Sequence, residues 1–92
     1  MQNDVSEAML KDLNVLLKDL PKDCISKIAV SYQKCQMHIW TEIPDDREDI
    51  EGELIMLEAK INAKYHSTGF YMVLTIVEIC DQLPVPDIMK IL

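Results

Sequence analysis

Apolar residues recur at helical spacing over the first twenty positions of the chain. This stripe consists of Met9, Leu13, Leu16 and Leu20. Polar residues fall between its members, a pattern typical of an amphipathic helix. Asp4 stands three residues before Glu7, which fits a capping pair at the start of the helix. Pro21 disfavours helical geometry in the residue before it, so the sequence predicts a helix over about residues 5–20.

From Ser26 onward the period of the pattern changes to two. The alternating apolar positions are Ile28, Val30 and Tyr32, followed by Met37, Ile39, Thr41 and Ile43. This period predicts two β-strands, and the short connection at Gln33, Lys34 and Cys35 predicts that they form a hairpin. The connection lacks the Asn-Gly or Asp-Gly signal, so its turn type stays open.

The second half of the chain repeats both kinds of pattern. Pro44 breaks the second strand, and a second helix is predicted after it with the buried stripe Ile50, Leu54, Leu57 and Ile61. Gly69 fits a cap at the end of this helix. Residues 70–79 are apolar at both odd and even positions, which predicts a strand covered on both faces. Residues 87–92 are predicted to form a short final helix with Pro86 near its first turn.

These elements predict an α+β fold, a two-layer α/β sandwich with the order α-β-β-α-β-α and a three-stranded mixed sheet. The chain has 92 residues, of which 49% are hydrophobic, so residues 1–92 are expected to form a single small domain. A right-handed crossover makes the third strand parallel to the second. The position of the third strand in the sheet stays open at this point.

The chain carries a formal charge of −7, which narrows the classes of partner. A surface this acidic repels phosphate backbones and anionic membrane surfaces, so neither nucleic acid nor a membrane is expected as a partner. The longest nearly apolar run, residues 70–80, is too short to span a bilayer. Basic proteins or cations are the expected electrostatic partners.

The three cysteines, Cys24, Cys35 and Cys80, form an odd set without a C-x-x-C pair. This usage is typical of a reducing compartment, so a cytoplasmic location is expected. The first residues lack the basic and apolar regions of a secretory leader. Cys80 is expected to be buried at the end of the third strand. The few cysteines and histidines do not have the spacing of a zinc site, and neither a metal nor another cofactor is predicted.

The densest charge cluster begins the second helix and contains Asp45, Asp46, Glu48 and Asp49. Acidic residues at the start of a helix interact favourably with its dipole, which explains much of the cluster. The alternative is a docking surface for a basic partner.

Trp40 is the least ordinary apolar residue of the chain. It shares a strand face with His38 and Glu42, while Met37 and Ile39 occupy the opposite face. If the latter face packs on the helices, Trp40 points away from them. Either a terminal segment covers the indole, or Trp40 anchors a partner or a second copy of the chain.

The predicted β-β-α-β core resembles in outline several RNA-binding domains, including the KH class. The resemblance covers the order of elements alone, since neither Gly52 nor Gly69 belongs to a G-x-x-G loop and the net charge has the wrong sign. We therefore assign no family from these residues.

The sequence favours a non-enzymatic protein-interaction domain, acting as a homodimer or as the acidic partner of a basic protein, for instance as an inhibitor or accessory subunit. The residues predicted to bind a partner are Trp40, His38, Glu42, Asp45, Asp46, Glu48 and Asp49. No catalytic residue is predicted. The alternative is a small enzyme or ligand-binding protein whose site forms at a dimer interface, using His38, His66 or Cys35.

Overall fold

A computed structural model describes residues 4–21 and 24–92. The first three residues, on which the expectation about a secretory leader partly rests, lie outside the described residues. Within these ranges the chain forms two α-helices and a four-stranded mixed sheet. The elements are α1 (Asp4–Leu17), β1 (Lys27–Gln33), β2 (Gln36–Ile43), α2 (Glu48–Tyr65), β3 (Tyr71–Glu78) and β4 (Lys90–Ile91). The predicted α+β class is confirmed.

The sheet has the strand order β3-β2-β1-β4. β1 and β2 form the predicted antiparallel hairpin, with Gln33 opposite Gln36 and a two-residue turn between them. Lys34, the first residue of this turn, has a φ of 51°. β3 runs parallel to β2, as the crossover rule predicts, and it lies beside β2, which the sequence left open.

The prediction of a final helix over residues 87–92 is wrong. This part of the chain forms a turn and then β4, in which Ile91 pairs with Ala29 and Lys90 with Val30. The Leu92 N–H also donates to the Ile28 carbonyl at 2.9 Å. The sheet therefore has four strands rather than three, and the order is α-β-β-α-β-β. Six residues make fewer than two helical turns, which is too short for a stable helix. Pairing with β1 instead provides hydrogen-bond partners for backbone groups on the open edge of that strand.

Both helices pack on one face of the sheet and enclose the core. The predicted stripe of α2 is confirmed, since Ile50, Leu54, Leu57 and Ile61 are all buried. Met9 and Leu13 of α1 join Met37 and Ile39 of β2 in the same cluster. α1 ends at Leu17, earlier than predicted, because residues 18–20 form a turn. A short 3₁₀ helix, His66–Thr68, follows α2, and Gly69 closes it with a φ of 77°.

β3 is an edge strand, so the prediction that both of its faces are covered is wrong in part. Met72 is buried under the helices, but Tyr71 is 43% exposed and Thr75 is also exposed. Side chains of α2 occupy part of its outer edge. The Asn62 amide donates to the Met72 carbonyl at 3.0 Å and accepts the Met72 N–H at 2.7 Å, while Glu58 accepts the Leu74 N–H at 2.7 Å. These contacts block strand addition there.

The last part of the chain crosses the whole sheet. β3 and β4 lie at opposite edges, so residues 79–89 must pass over β2 and β1. The helices occupy one face, and we infer that this crossing segment lies on the other. Val85, Pro86 and Met89 of the segment are half-buried, which agrees with that path.

Candidate interaction surfaces

Two acidic segments that are far apart in the sequence meet at one end of the sheet. β2 and β3 are parallel, and Ile43 is paired with Glu78, so their carboxyl ends lie side by side. The Cys80 N–H donates to Asp45 Oδ1 at 2.8 Å, and the Asp46 N–H donates to Glu78 Oε2 at 3.2 Å. We call the resulting surface the acidic pole; it consists of Asp45, Asp46, Glu48, Asp49, Glu78 and Asp81.

Arg47 is the basic residue within the predicted cluster, and its guanidinium is already paired with a carboxylate of the cluster. Its guanidinium donates to both carboxylate oxygens of Asp49, at 3.0 and 2.9 Å. This pairing holds the pKa of Asp49 at about 2, so the carboxylate stays charged at neutral pH. Asp45, Asp46 and Glu48 are exposed. The pole therefore presents several negative charges that its own arginine does not neutralise.

Cys80 lies inside the acidic pole rather than in the core. The prediction that it is buried in the third strand is wrong, because β3 ends at Glu78 and Cys80 is exposed in a short 3₁₀ helix, Ile79–Asp81. The hydrogen bond with Asp45, with desolvation and the neighbouring carboxylates, raises the pKa of the Cys80 thiol to about 11. The thiol is thus protonated at neutral pH and is a poor nucleophile.

Asp45, Glu78 and Cys80 also place one oxygen each and the sulfur within 4.8 Å of one another. Carboxylates and thiolates are zinc ligands. Here the two carboxylates accept backbone N–H groups of the same junction. Those hydrogen bonds explain why the three side chains lie close together, so no metal site is proposed at this position.

Trp40 lies on the face of the sheet opposite the helices, between Ala29 of β1 and Thr75 of β3. The indole is 5% exposed, as is the neighbouring Glu42. The indole is therefore covered within the chain, and we infer that the crossing segment covers it, which is one of the two alternatives that the sequence left open. A role of Trp40 as a partner anchor stays a prediction.

His38 and Cys35, named for the enzymatic alternative, lie toward the hairpin end of the sheet. His38 Nε2 is 2.7 Å from Gln36 Oε1, and the Gln36 amide donates to the Tyr71 hydroxyl. A groove of about 480 Å³ runs past Cys35 and Tyr71. Neither His38 nor His66 lines it. The described residues thus place no imidazole in this groove to activate the thiol.

Exposed apolar side chains concentrate in the last part of the chain. Those in this part are Ile79, Leu83, Ile88, Ile91 and Leu92, while Val15, Ile55 and Met56 are exposed on the helices. A second copy of the chain would find apolar surface here rather than at the covered indole. The homodimer stays a prediction.

Sequence reasoning missed Glu78 and Asp81 as members of the acidic pole. The predicted parallel direction of the third strand was part of the signal, but Glu78 and Asp81 lie beside the residues after β2 only because β3 pairs with β2, which the sequence left open. No helix within residues 4–21 and 24–92 is both long and apolar enough to cross a bilayer. Comparisons of the chain with protein-family models, curated proteins and solved structures find no match.

Proposed function

We propose that the protein is a non-enzymatic interaction domain whose acidic pole binds a basic partner protein, so that it acts as an inhibitor or an accessory subunit. One observation carries the proposal. The structure joins the acidic residues after β2 to those after β3 by two backbone-to-carboxylate hydrogen bonds. Charges held in fixed positions by such bonds favour recognition of one complementary surface.

The charge of the whole chain supports the same class of partner. At −7 it attracts basic surfaces and steers their approach. It also opposes binding of DNA or RNA, which requires neutralisation of phosphates by cationic side chains. Cys35 and Cys80 are exposed free thiols, which supports a reducing compartment such as the cytoplasm as the place of action.

Two matched charge variants test the proposal. Asp46→Asn with Glu48→Lys removes negative charge from the acidic pole, and asparagine suits the left-handed φ of 58° at position 46. Asp4→Asn with Glu7→Lys makes the same charge change in the first turn of α1, where Glu7 lies near Tyr32, toward the hairpin. Both double substitutions lie at the start of a helix, so their effects on the interaction with the helix dipole are comparable.

Affinity capture from the native host measures the outcome. The wild-type chain and the α1 variant are expected to capture the same basic protein, and the acidic-pole variant is expected to bind it about tenfold more slowly. Circular dichroism checks that both variants are folded. Equal capture of that protein by all three chains, or capture of acidic proteins and nucleic acid instead, would contradict the proposal.

A further inference from the structure

The outer edge of β1 is only partly occupied. β4 pairs with Ala29 and Val30, and among the described residues no strand lies beside residues 31–33 on that side. A cavity of about 580 Å³ runs along this free stretch, bounded by residues 30–33 of β1, Leu10 of α1, and Ile88, Lys90 and Leu92 of the last segment. We call it the edge groove.

The backbone of Tyr32 faces the edge groove. In a hairpin with a two-residue turn, the residues flanking the turn bond to each other, so Gln33 directs its N–H and carbonyl toward β2. Alternation then turns the same groups of Ile28, Val30 and Tyr32 outward. The bond from the Leu92 N–H to the Ile28 carbonyl agrees with this alternation. β4 reaches Val30 but stops short of Tyr32.

Two buried hydroxyls on this stretch have no hydrogen-bond partner within the described residues: Ser31 Oγ and Tyr32 Oη. Ser31 is 9% exposed. Neighbouring strand residues point to opposite faces, so the two hydroxyls lie on either side of the free edge. Native proteins contain few such unpaired groups, and those that exist call for an explanation. Burial and the nearby Glu7 carboxylate raise the pKa of Tyr32, which keeps its phenol a donor at neutral pH.

We propose that the edge groove binds an extended peptide segment of a partner protein, which adds a strand beside residues 31–33 of β1. The peptide backbone pairs with the outward N–H and carbonyl of Tyr32. Its side chains alternate between the two faces. On the face that the helices cover, aliphatic side chains of the peptide contact Leu10 and Leu92 beside Tyr32, and on the opposite face a side chain with an acceptor oxygen reaches the Ser31 hydroxyl. The segment recognised therefore alternates aliphatic residues with threonine, serine, asparagine or glutamine.

A second copy of this chain fits the edge groove less well than a peptide does. The copy could offer its own β1 edge, but there Tyr32 is the one free residue with outward backbone groups. It could otherwise offer β3, whose outer edge is occupied by Asn62 and Glu58 at Met72 and Leu74. A peptide is free of both restrictions and can follow the groove past Ile88.

Titration with short peptides, followed by nuclear magnetic resonance, tests the proposal. The probes are lysine-flanked peptides that alternate threonine with valine, isoleucine or leucine. At least one is expected to shift the amide signals of residues 31–33 and to slow hydrogen exchange at Tyr32. The control peptide has the same sequence with N-methyl groups on its pairing amides, and it is expected not to bind. The acidic-pole variant should bind the active peptide as the wild type does, which separates this site from the proposed function.

Ser31→Ala and Tyr32→Phe distinguish a binding role from a structural one. Each removes an unpaired hydroxyl, so the free protein should be as stable as the wild type or more so. Peptide affinity should nevertheless fall about three- to tenfold for Ser31→Ala, the value of one lost hydrogen bond, and should change little for Tyr32→Phe, whose hydroxyl lies on the aliphatic face. The proposal is overturned if no peptide shifts residues 31–33, if the N-methylated control binds equally, or if Ser31→Ala does not weaken binding. It is equally overturned if these signals shift with protein concentration alone, because the groove then joins two copies of the chain.

Discussion

Replacing Trp40 with alanine is expected to destabilise the fold by about 3–5 kcal/mol, as is usual when a buried tryptophan is truncated to a methyl group. The indole is 5% exposed and lies on the sheet face over which we infer that the crossing segment passes. Alanine leaves a cavity there that the short segment cannot fill. A chain of this size has a total stability on the order of 5–15 kcal/mol, so the loss takes a large share of it. Urea unfolding monitored by circular dichroism measures the change.

Trp40→Phe is the matched control, because it keeps an aromatic ring in the same place and should retain more stability than alanine. Sedimentation velocity on the alanine variant separates two roles of the side chain. If the variant keeps its stability but loses self-association, Trp40 is an interface anchor and the crossing segment does not hold it in the monomer. If it unfolds more easily, the indole belongs to the core of the single chain.

Alkylation of Cys80 at pH 8 is expected to be about tenfold slower than that of an ordinary cysteine. The acidic pole raises the pKa of this thiol from 9.0 to about 11. Each unit of higher pKa lowers the thiolate fraction about tenfold, while the more basic thiolate is about threefold more nucleophilic, so the two units together slow the reaction about tenfold. A Cys35→Ser variant is used, so that Cys80 is the exposed thiol while Cys24 stays buried. Iodoacetamide labelling followed by mass spectrometry gives the rate.

Asp45→Asn in the same background provides the control. It removes the carboxylate that contributes most to the raised pKa of Cys80, so labelling should become faster. Glu78 and Asp81 remain, so the rate should stay below that of an ordinary cysteine. Labelling of the parent variant at the ordinary rate would mean that the carboxylates do not face the thiol as described, and would remove the electrostatic basis of the acidic pole.

The hydrophobic periodicity of the sequence was sufficient to predict which side chains are buried in elements that pack one face against the core. It placed Ile50, Leu54, Leu57 and Ile61 inside, and it put Trp40 on the face away from the helices. The parallel direction of β3 relative to β2 also followed from the chain order, through the handedness of the crossover, whereas its place beside β2 did not. These features depend on local pattern and on general rules of chain connection.

The end of the chain could not be predicted in the same way. Residues 87–92 contain too few positions to show a period, and their pairing with β1 depends on an edge that only the assembled sheet creates. Residues 79–89 connect opposite edges of the sheet, which follows from the position of β4 rather than from their own pattern. The edge groove and the cover over Trp40 both result from this path, so neither was visible in the sequence.

The association rate of the captured basic partner, measured against ionic strength, tests the central claim most directly. Steering by the acidic pole predicts a steep decrease with added salt for the wild-type chain and for the Asp4→Asn, Glu7→Lys variant. The Asp46→Asn, Glu48→Lys variant should associate more slowly at low salt and show a clearly shallower dependence. Identical salt dependence in all three chains would contradict the claim that this surface recognises the partner.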